Sequence, residues 1–130
     1  MWSDIDYMHE YRDFTVSNTR YAKQADYVKA LHDQNIKYVP IVDAGVAYRP
    51  NALDKYDFFN NAGDIWIKAA DGTPFIGRVW PNDSVFPDFF NPNAAGVWQA
   101  GITSLFTAIP FDGLWLDMNE IANFCNGVCY

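Results

Sequence analysis

Residues 113–120 read Gly-Leu-Trp-Leu-Asp-Met-Asn-Glu, a short apolar run that ends at Asp117 and is followed by Glu120. An apolar run of this length is typical of a strand buried in a parallel sheet. In α/β barrels the carboxyl ends of the strands lie at one open rim, where the chemistry takes place. The run therefore predicts a strand that delivers a carboxylate to such a rim.

Two other strand ends carry acids in the same way. Asp4 and Asp6 follow the tail of a first strand, and the β-rich run 37–43 ends at Asp43. Pro40 argues against a strand there because proline cannot donate to a ladder, although the run is apolar on both faces. Acids are also common helix caps and loop formers, so each one alone has a plain structural interpretation. Their shared position after successive strands favours an active site.

Strands and helices alternate along the chain. Helical spacing predicts a helix over 19–34, which Ser17, Asn18 or Thr19 could cap, and a second one over 94–108, capped by Asn91 or Asn93. This alternation implies parallel strands with right-handed crossovers, but the units are too few to close a barrel. The fold class is therefore α/β, a partial (β/α)8 barrel, with residues 1–130 a fragment of the barrel domain.

Residues 44–92 form a long irregular stretch after the second apolar strand. Asp71-Gly72 lies between the β-like runs 64–69 and 74–80, which is a good hairpin signal. A connection this long in a compact domain is usually functional. We therefore expect residues 44–92 to be an inserted loop or subdomain that contains a hairpin.

Composition limits the kind of partner. The 130 residues have a net charge of −7, from 16 acidic and 9 basic residues, and no basic stripe is present. Nucleic-acid binding needs positive charge, so we do not expect it. No apolar run is long enough to span a membrane, and the first residues lack the pattern of a signal peptide.

Grouped carboxylates among many aromatic residues suit either a divalent metal or a carbohydrate. The stretch 118–120 does not match an EF-hand and no histidine lies near it, so we expect no metal site, and we expect no cofactor. Aromatic faces stack on sugar C–H groups, and acids accept from sugar hydroxyls. Trp80 and Trp115 are candidates to line a pocket, although they could equally belong to the core. Cys125 and Cys129 could form a local disulfide or remain two free thiols.

Four segments, in order, resemble the glycoside hydrolases of family 31, and most closely the acid α-glucosidases and maltases. The resemblance covers essentially the whole chain. The segments are Trp2-Ser3-Asp4-Ile5-Asp6-Tyr7-Met8 with Arg12-Asp13-Phe14-Thr15, then Ile41-Val42-Asp43, then Gly77-Arg78-Val79-Trp80-Pro81 with Phe86-Pro87-Asp88-Phe89, and Trp115-Leu116-Asp117-Met118-Asn119-Glu120. Arg12 and Asp13 are assigned no role.

The resemblance implies a (β/α)8 barrel, of which this chain would hold about strands 2 to 4, with a subdomain inserted after the third strand. The implied activity is hydrolysis of terminal α-linked glucose, from maltose-like oligosaccharides, with retention. Asp117 would be the nucleophile, and Glu120 would support it. The substrate-binding residues would be Asp4, Asp43, Trp80, Trp115, Met118 and Phe124.

The sequence departs from the family pattern in a few places. Residues 121–122 are Ile-Ala where many members have Pro-Ser, and residues 44–46 replace a more usual proline-containing turn. The pair Cys125 and Cys129 resembles members that pass through the secretory pathway, which favours a disulfide and suggests a secreted, lysosomal or vacuolar location. The family's acid/base residue comes from a later segment, so the isolated chain should be inactive. The alternatives are an α-xylosidase or another α-glycosidase of the same family, and a non-catalytic sugar-binding remnant.

Overall fold

A computed structural model describes residues 1–51, 58–127 and 129. Part of the predicted insertion, residues 52–57, therefore lies outside the described residues. The described part contains six strands, numbered in chain order: β1 (Trp2–Ser3), β2 (Val39–Asp43), β3 (Val46–Ala47), β4 (Gly77–Val79), β5 (Asn82–Val85) and β6 (Trp115–Asp117). Its α-helices are α1 (Gln24–His32), α2 (Phe58–Asn61) and α3 (Ala94–Ala108), and two short 3-10 helices span Ile5–Tyr7 and His9–Tyr11.

Strands β1, β2 and β6 form a parallel sheet in the order β1–β2–β6. The structure confirms the strands predicted over 37–43 and 113–117, although each begins two residues later. Pro40 is compatible with its place in β2. The Val39 N–H donates to the Met1 carbonyl, so residue 39 faces β1 and residue 40 faces β6, where pairing begins only at Ile41.

The two longer helices connect these parallel strands. Helix α3 has the predicted bounds, whereas α1 begins at Gln24 instead of residue 19. The reason is a separate turn before α1, in which the Ser17 hydroxyl accepts the Arg20 N–H at 3.2 Å. Ser17 therefore caps this turn and not α1.

A second, antiparallel sheet lies between β2 and α3 in the sequence, with strand order β3–β5–β4. The Asp71-Gly72 turn forms as predicted, since Ala69 N–H donates to the Thr73 carbonyl at 2.8 Å. The regular hairpin, however, is the one between β4 and β5, which the sequence analysis did not predict. Its two-residue loop, Trp80 and Pro81, connects the paired residues Val79 and Asn82.

Two apolar clusters hold these sheets. The first lies between the parallel sheet and helices α1 and α3, and its buried members are Tyr7, Met8, Phe14, Val28, Leu31, Tyr38, Ile41, Val42, Leu105 and Ile109. The second lies under the antiparallel sheet and contains Val46, Ala62, Ile65, Trp66, Ile76, Val85 and Ala94. Phe58 and Trp98 pack against both clusters, so the two sheets share one continuous interior.

Among the described residues, no helix has the length and apolar character needed to cross a membrane.

Candidate active site

The carboxyl ends of the parallel strands place acids side by side. Asp43 ends β2 and Asp117 ends β6, and the two residues are in register. Because neighbouring strands lie about 4.8 Å apart and paired residues point to the same face, their carboxyl groups are neighbours. Asp4 follows β1 at the same edge and accepts the Ile5 N–H at 2.7 Å. The acids that the sequence predicted at three strand ends therefore meet at one rim.

Asp43 differs from its neighbours in being almost fully enclosed, with 2% of its surface exposed. Burial raises the pKa of Asp43 from 3.8 to about 7, and the negative charges of Asp117 and Asp4 add to the effect. A buried carboxyl next to other carboxylates is costly to ionise, which is the physical cause of such shifts. Around neutral pH, Asp43 is thus able to donate or to accept a hydrogen bond.

A second buried acid lies behind this rim. Asp13 is 1% exposed, and its Oδ1 accepts the backbone N–H of Asp43 at 2.9 Å. Burial, and then the charge of Asp43, raises the pKa of Asp13 well above its usual value. Sequence reasoning missed this residue. Arg12, the residue before it, forms an ion pair with Glu10.

The turn after β6 carries the other predicted residues of this strand end. Met118 is partly buried and has a φ of 61°, a left-handed conformation that is uncommon for a residue other than glycine. Glu120 is exposed, and it makes no hydrogen bond or ion pair with any described residue. Among the described residues, therefore, nothing fixes the position of the Glu120 side chain relative to Asp117.

Two of the predicted aromatic residues form a pair at the antiparallel sheet. Trp80, in the β4–β5 loop, is 46% exposed, and Phe124 is 57% exposed. Their ring centroids lie 5.0 Å apart, edge to face. Trp115 lies elsewhere, partly buried against the first apolar cluster and paired with Ile41. Trp80 and Phe124 thus offer exposed ring surface, whereas Trp115 lies within the parallel sheet.

Asn123 joins the segment after β6 to the antiparallel sheet. Its Oδ1 accepts the Arg78 N–H at 2.9 Å, and its Nδ2 donates to the Gly127 carbonyl at 2.9 Å. The Phe124 N–H donates to the Arg78 carbonyl at 3.0 Å. Gly77 leaves room for this contact, because a Cβ atom there would lie 2.8 Å from Asn123 Oδ1. These contacts bring Phe124 against Trp80.

A disulfide closes the same segment. Cys125 and Cys129 are bonded to each other, with their Cα atoms 5.7 Å apart. The sequence could not decide between a disulfide and two thiols on spacing alone. Within the part of the chain that the structure describes, no three His, Cys, Asp or Glu side chains are grouped in a way that could hold a metal ion.

The sequence matches the family described as "Glycosyl hydrolases family 31 TIM-barrel domain" over residues 1–130. An alpha-glucosidase from Aspergillus niger is 40% identical over 136 residues, which cover 99% of this chain and 14% of that protein. Alpha-xylosidase 1 from Arabidopsis thaliana is 38% identical over 133 residues, again 99% of this chain and 14% of the relative. The chain thus spans about one seventh of these curated relatives, 14% in each case.

Among solved structures, the alpha subunit of glucosidase II, bound to alpha3-Glc2, superimposes with a TM-score of 0.80. The sequences are 27% identical, and the match covers 95% of this chain and 13% of that one. The three-stranded parallel sheet is therefore consistent with part of a barrel. The resemblance drawn from the four motifs agrees with these matches.

Proposed function

This chain belongs to the glycosyl hydrolases of family 31, and on that premise we propose that it supplies the nucleophile of a retaining α-glucosidase, namely Asp117. The observation that carries the proposal is the register of β2 and β6, which sets Asp117 beside the buried Asp43 at the carboxyl edge of the sheet. Strand ends at this edge are where barrel enzymes hold their reacting groups.

The chemistry divides into two displacements. An oxygen of the Asp117 carboxylate attacks the anomeric carbon, the bond from that carbon to the leaving oxygen breaks, and the leaving oxygen takes a proton from an acid. Water then hydrolyses the glycosyl ester, with its proton passing to the same group. Retention needs that second carboxyl about 5–5.5 Å from the nucleophile. In this proposal a later segment of the protein supplies it, so residues 1–130 alone should be inactive.

The neighbouring acids have supporting roles. With a pKa of about 7, Asp43 is protonated part of the time at neutral pH. In its protonated form it does not repel the Asp117 carboxylate, and it can donate to a sugar hydroxyl. Asp4, exposed at the same edge, would accept from other hydroxyls. Glu120 would assist electrostatically from the turn after β6.

The aromatic residues would form the walls of the glucose site. Trp80 and Phe124 present exposed rings of the kind that stack on sugars. Trp115 precedes Asp117 by two residues, and Met118 follows it, so both would border the reacting sugar. In this arrangement β1, β2 and β6 are about strands 2 to 4 of the barrel, and residues 44–92 form the insertion that brings Trp80 to the site.

Chemical rescue tests the nucleophile directly. In the full-length protein, Asp117→Ala should abolish hydrolysis of an aryl α-glucoside, because no group then attacks the anomeric carbon. Azide, which is small enough to occupy the vacated space, should restore turnover of this activated substrate and yield a β-glucosyl azide. Glu120→Ala, three residues away, serves as the matched variant and should yield no glycosyl azide. Unchanged hydrolysis by Asp117→Ala would exclude the assignment.

The substrate needs its own experiment. A relative named as an α-xylosidase, at 38% identity, supports an α-xyloside as the second candidate. We propose α-linked glucose, and the ratio of kcat/KM for matched aryl α-glucosides and α-xylosides will decide between them. Binding of either sugar without any turnover would instead identify a non-catalytic sugar-binding protein.

A further inference from the structure

We propose that Asp13 is a positioning residue for Asp43. The end of β2 has no neighbouring strand on the side of β1, and the Asp13 side chain there accepts the hydrogen bond that such a strand would accept. The catalytic consequence rests on the proposed function above. The structural consequence, a β2 end fixed by two side chains instead of a strand, stands independently of it.

The argument begins with the edge of β2 that faces β1. Strand β1 pairs with β2 only through Trp2 with Val39 and Ser3 with Pro40. The chain then leaves the sheet, and Ile5–Tyr7 form a 3-10 turn. Alternate residues of a strand direct their N–H and C=O groups to the same edge, so residues 41 and 43 face the side that β1 has left.

Two side chains bind the backbone groups that are exposed in this way. The Tyr7 hydroxyl donates to the Ile41 carbonyl at 2.7 Å, and Asp13 Oδ1 accepts the Asp43 N–H at 2.9 Å. A buried backbone group without a partner is costly, so these bonds complete the ladder that β1 began. Tyr7 and Asp13 therefore replace the hydrogen bonds of one further pair of strand residues.

Packing against helix α3 fixes the loop that carries Asp13. The Phe14 ring fits against Gly101, where a Cβ atom would lie 2.7 Å from the ring. The same ring contacts Phe58 and Trp98, at centroid distances of 4.7 and 5.0 Å. The Thr15 hydroxyl donates to the Arg12 carbonyl at 2.6 Å and closes the turn. The loop that places Asp13 beside β2 is therefore held firmly by its packing.

The surroundings of Asp13 determine its protonation state. Its other oxygen, Oδ2, is buried and has no hydrogen-bond partner among the described residues. Burial raises its pKa most, the Asp43 charge adds to this, and the opposing effect of the bond from the Asp43 N–H is smaller. Tyr7 and Asp43 are the titratable groups that face it, and the Arg12 guanidinium next in the chain is bound to Glu10. Asp13 therefore acts as a neutral hydrogen-bond acceptor, which asparagine can imitate.

The test compares Asp13→Asn with Asp13→Ala in the full-length protein. Asp13→Ala removes the acceptor, so amide hydrogen exchange in the segment 38–44 should accelerate and kcat/KM should fall about 100-fold, the typical effect of a 1 Å misplacement. Asp13→Asn keeps the acceptor, so both quantities and the pH profile of kcat/KM should stay near wild type. Asp26→Ala, an exposed acid on α1, is the control for loss of a carboxylate.

Several outcomes would overturn the proposal. Unchanged exchange in Asp13→Ala would show that the hydrogen bond does not hold β2. A shifted pH profile in Asp13→Asn would show that Asp13 acts through its charge. If Asp13→Ala does not fold, Asp13→Glu replaces it and should also accelerate exchange, because the longer side chain cannot keep the 2.9 Å contact. The exchange measurement does not require activity, so a failed azide rescue would remove the proposed nucleophile without affecting this result.

Discussion

The two ends of β2 are held by the same kind of hydrogen bond in opposite surroundings. At the first end, Asp112 Oδ2 accepts the Tyr38 N–H at 2.8 Å. At the last end, Asp13 Oδ1 accepts the Asp43 N–H at 2.9 Å. Asp112 also binds Lys37 at 3.0 Å, and His32 Nε2 lies 2.7 Å from it. Asp13 is instead 1% exposed, and the charge that raises its pKa is that of Asp43.

The environment, and not the hydrogen bond, decides what each carboxyl does. The Tyr38 N–H, Lys37 and His32 hold the pKa of Asp112 well below its usual range, so it is an anion at every ordinary pH. Burial raises the pKa of Asp13 despite an equivalent bond. The charged Asp112 lies at the amino end of the strands, the end that in barrel enzymes contributes to stability. The neutral Asp13 lies at the carboxyl end, where barrel enzymes hold their catalytic residues. The predictions that follow test this contrast.

The largest expected effect is on the pH dependence of stability. The folded protein holds a proton on Asp43 up to about pH 7, whereas the unfolded chain releases it near pH 4. The contribution of Asp43 to the free energy of unfolding should therefore decrease as the pH rises from about 4 to 7, by at most about 4 kcal/mol. Denaturant unfolding of wild type and Asp43→Asn across this range should show a flatter profile for the variant. Parallel profiles would mean that Asp43 ionises normally.

A smaller effect is expected on catalysis by the same variant. Asp43→Asn should lower kcat/KM for an aryl α-glucoside by about 10- to 100-fold, because the variant lacks the ionised form of Asp43 that accepts from a sugar hydroxyl, and a hydrogen bond to a charged group contributes about 1.5–3 kcal/mol. Asp26→Ala, on the exposed face of α1, provides the control. Wild-type kcat/KM in a folded Asp43→Asn would remove Asp43 from the glucose site and weaken the contrast between the two ends of β2.

The smallest effect is expected from substitutions at the first end of β2, around Asp112. Asp112→Asn should lower the thermal midpoint while leaving kcat/KM unchanged, because it removes a charge that Tyr38, Lys37 and His32 all contact. The decrease in stability should become smaller below about pH 4. In that range the carboxyl is protonated in the unfolded chain, so the lowered pKa of folded Asp112 contributes less to the free energy of unfolding as the pH falls. Lys37→Ala should be nearly neutral, since its side chain is 78% exposed and such ion pairs contribute little. A large loss of activity in Asp112→Asn would contradict the division of roles.

The sequence predicted what depends on local pattern. Asp43 and Asp117 were found because each ends an apolar run, and α3 was found because its apolar spacing is helical throughout. Asp13 could not be found in this way. Its hydrogen bond joins residues 30 positions apart, and neither periodicity nor spacing reports such a contact.

Turn chemistry explains the missed hairpin. The β4–β5 loop consists of Trp80 and Pro81, whereas the recognisable two-residue hairpins carry Asn-Gly or Asp-Gly. Asn82, with a φ of 74°, provides the left-handed residue one position later than that pattern expects. The position of Trp80 beside Phe124 was predictable only from the family resemblance, because contacts of Asn123 with a distant strand create it.

The register of Asp43 with Asp117 also bears on the order of folding. The segment between these residues contains an antiparallel sheet of its own, whose β4–β5 hairpin has a two-residue loop. Hairpins close in about 1–10 μs, whereas contacts between residues far apart in sequence must first overcome a larger loop-closure entropy. We therefore expect the hairpin to form early and the two carboxylates to meet late. The repulsion between Asp43 and Asp117 then arises only late in folding, when most of the surrounding structure has already formed.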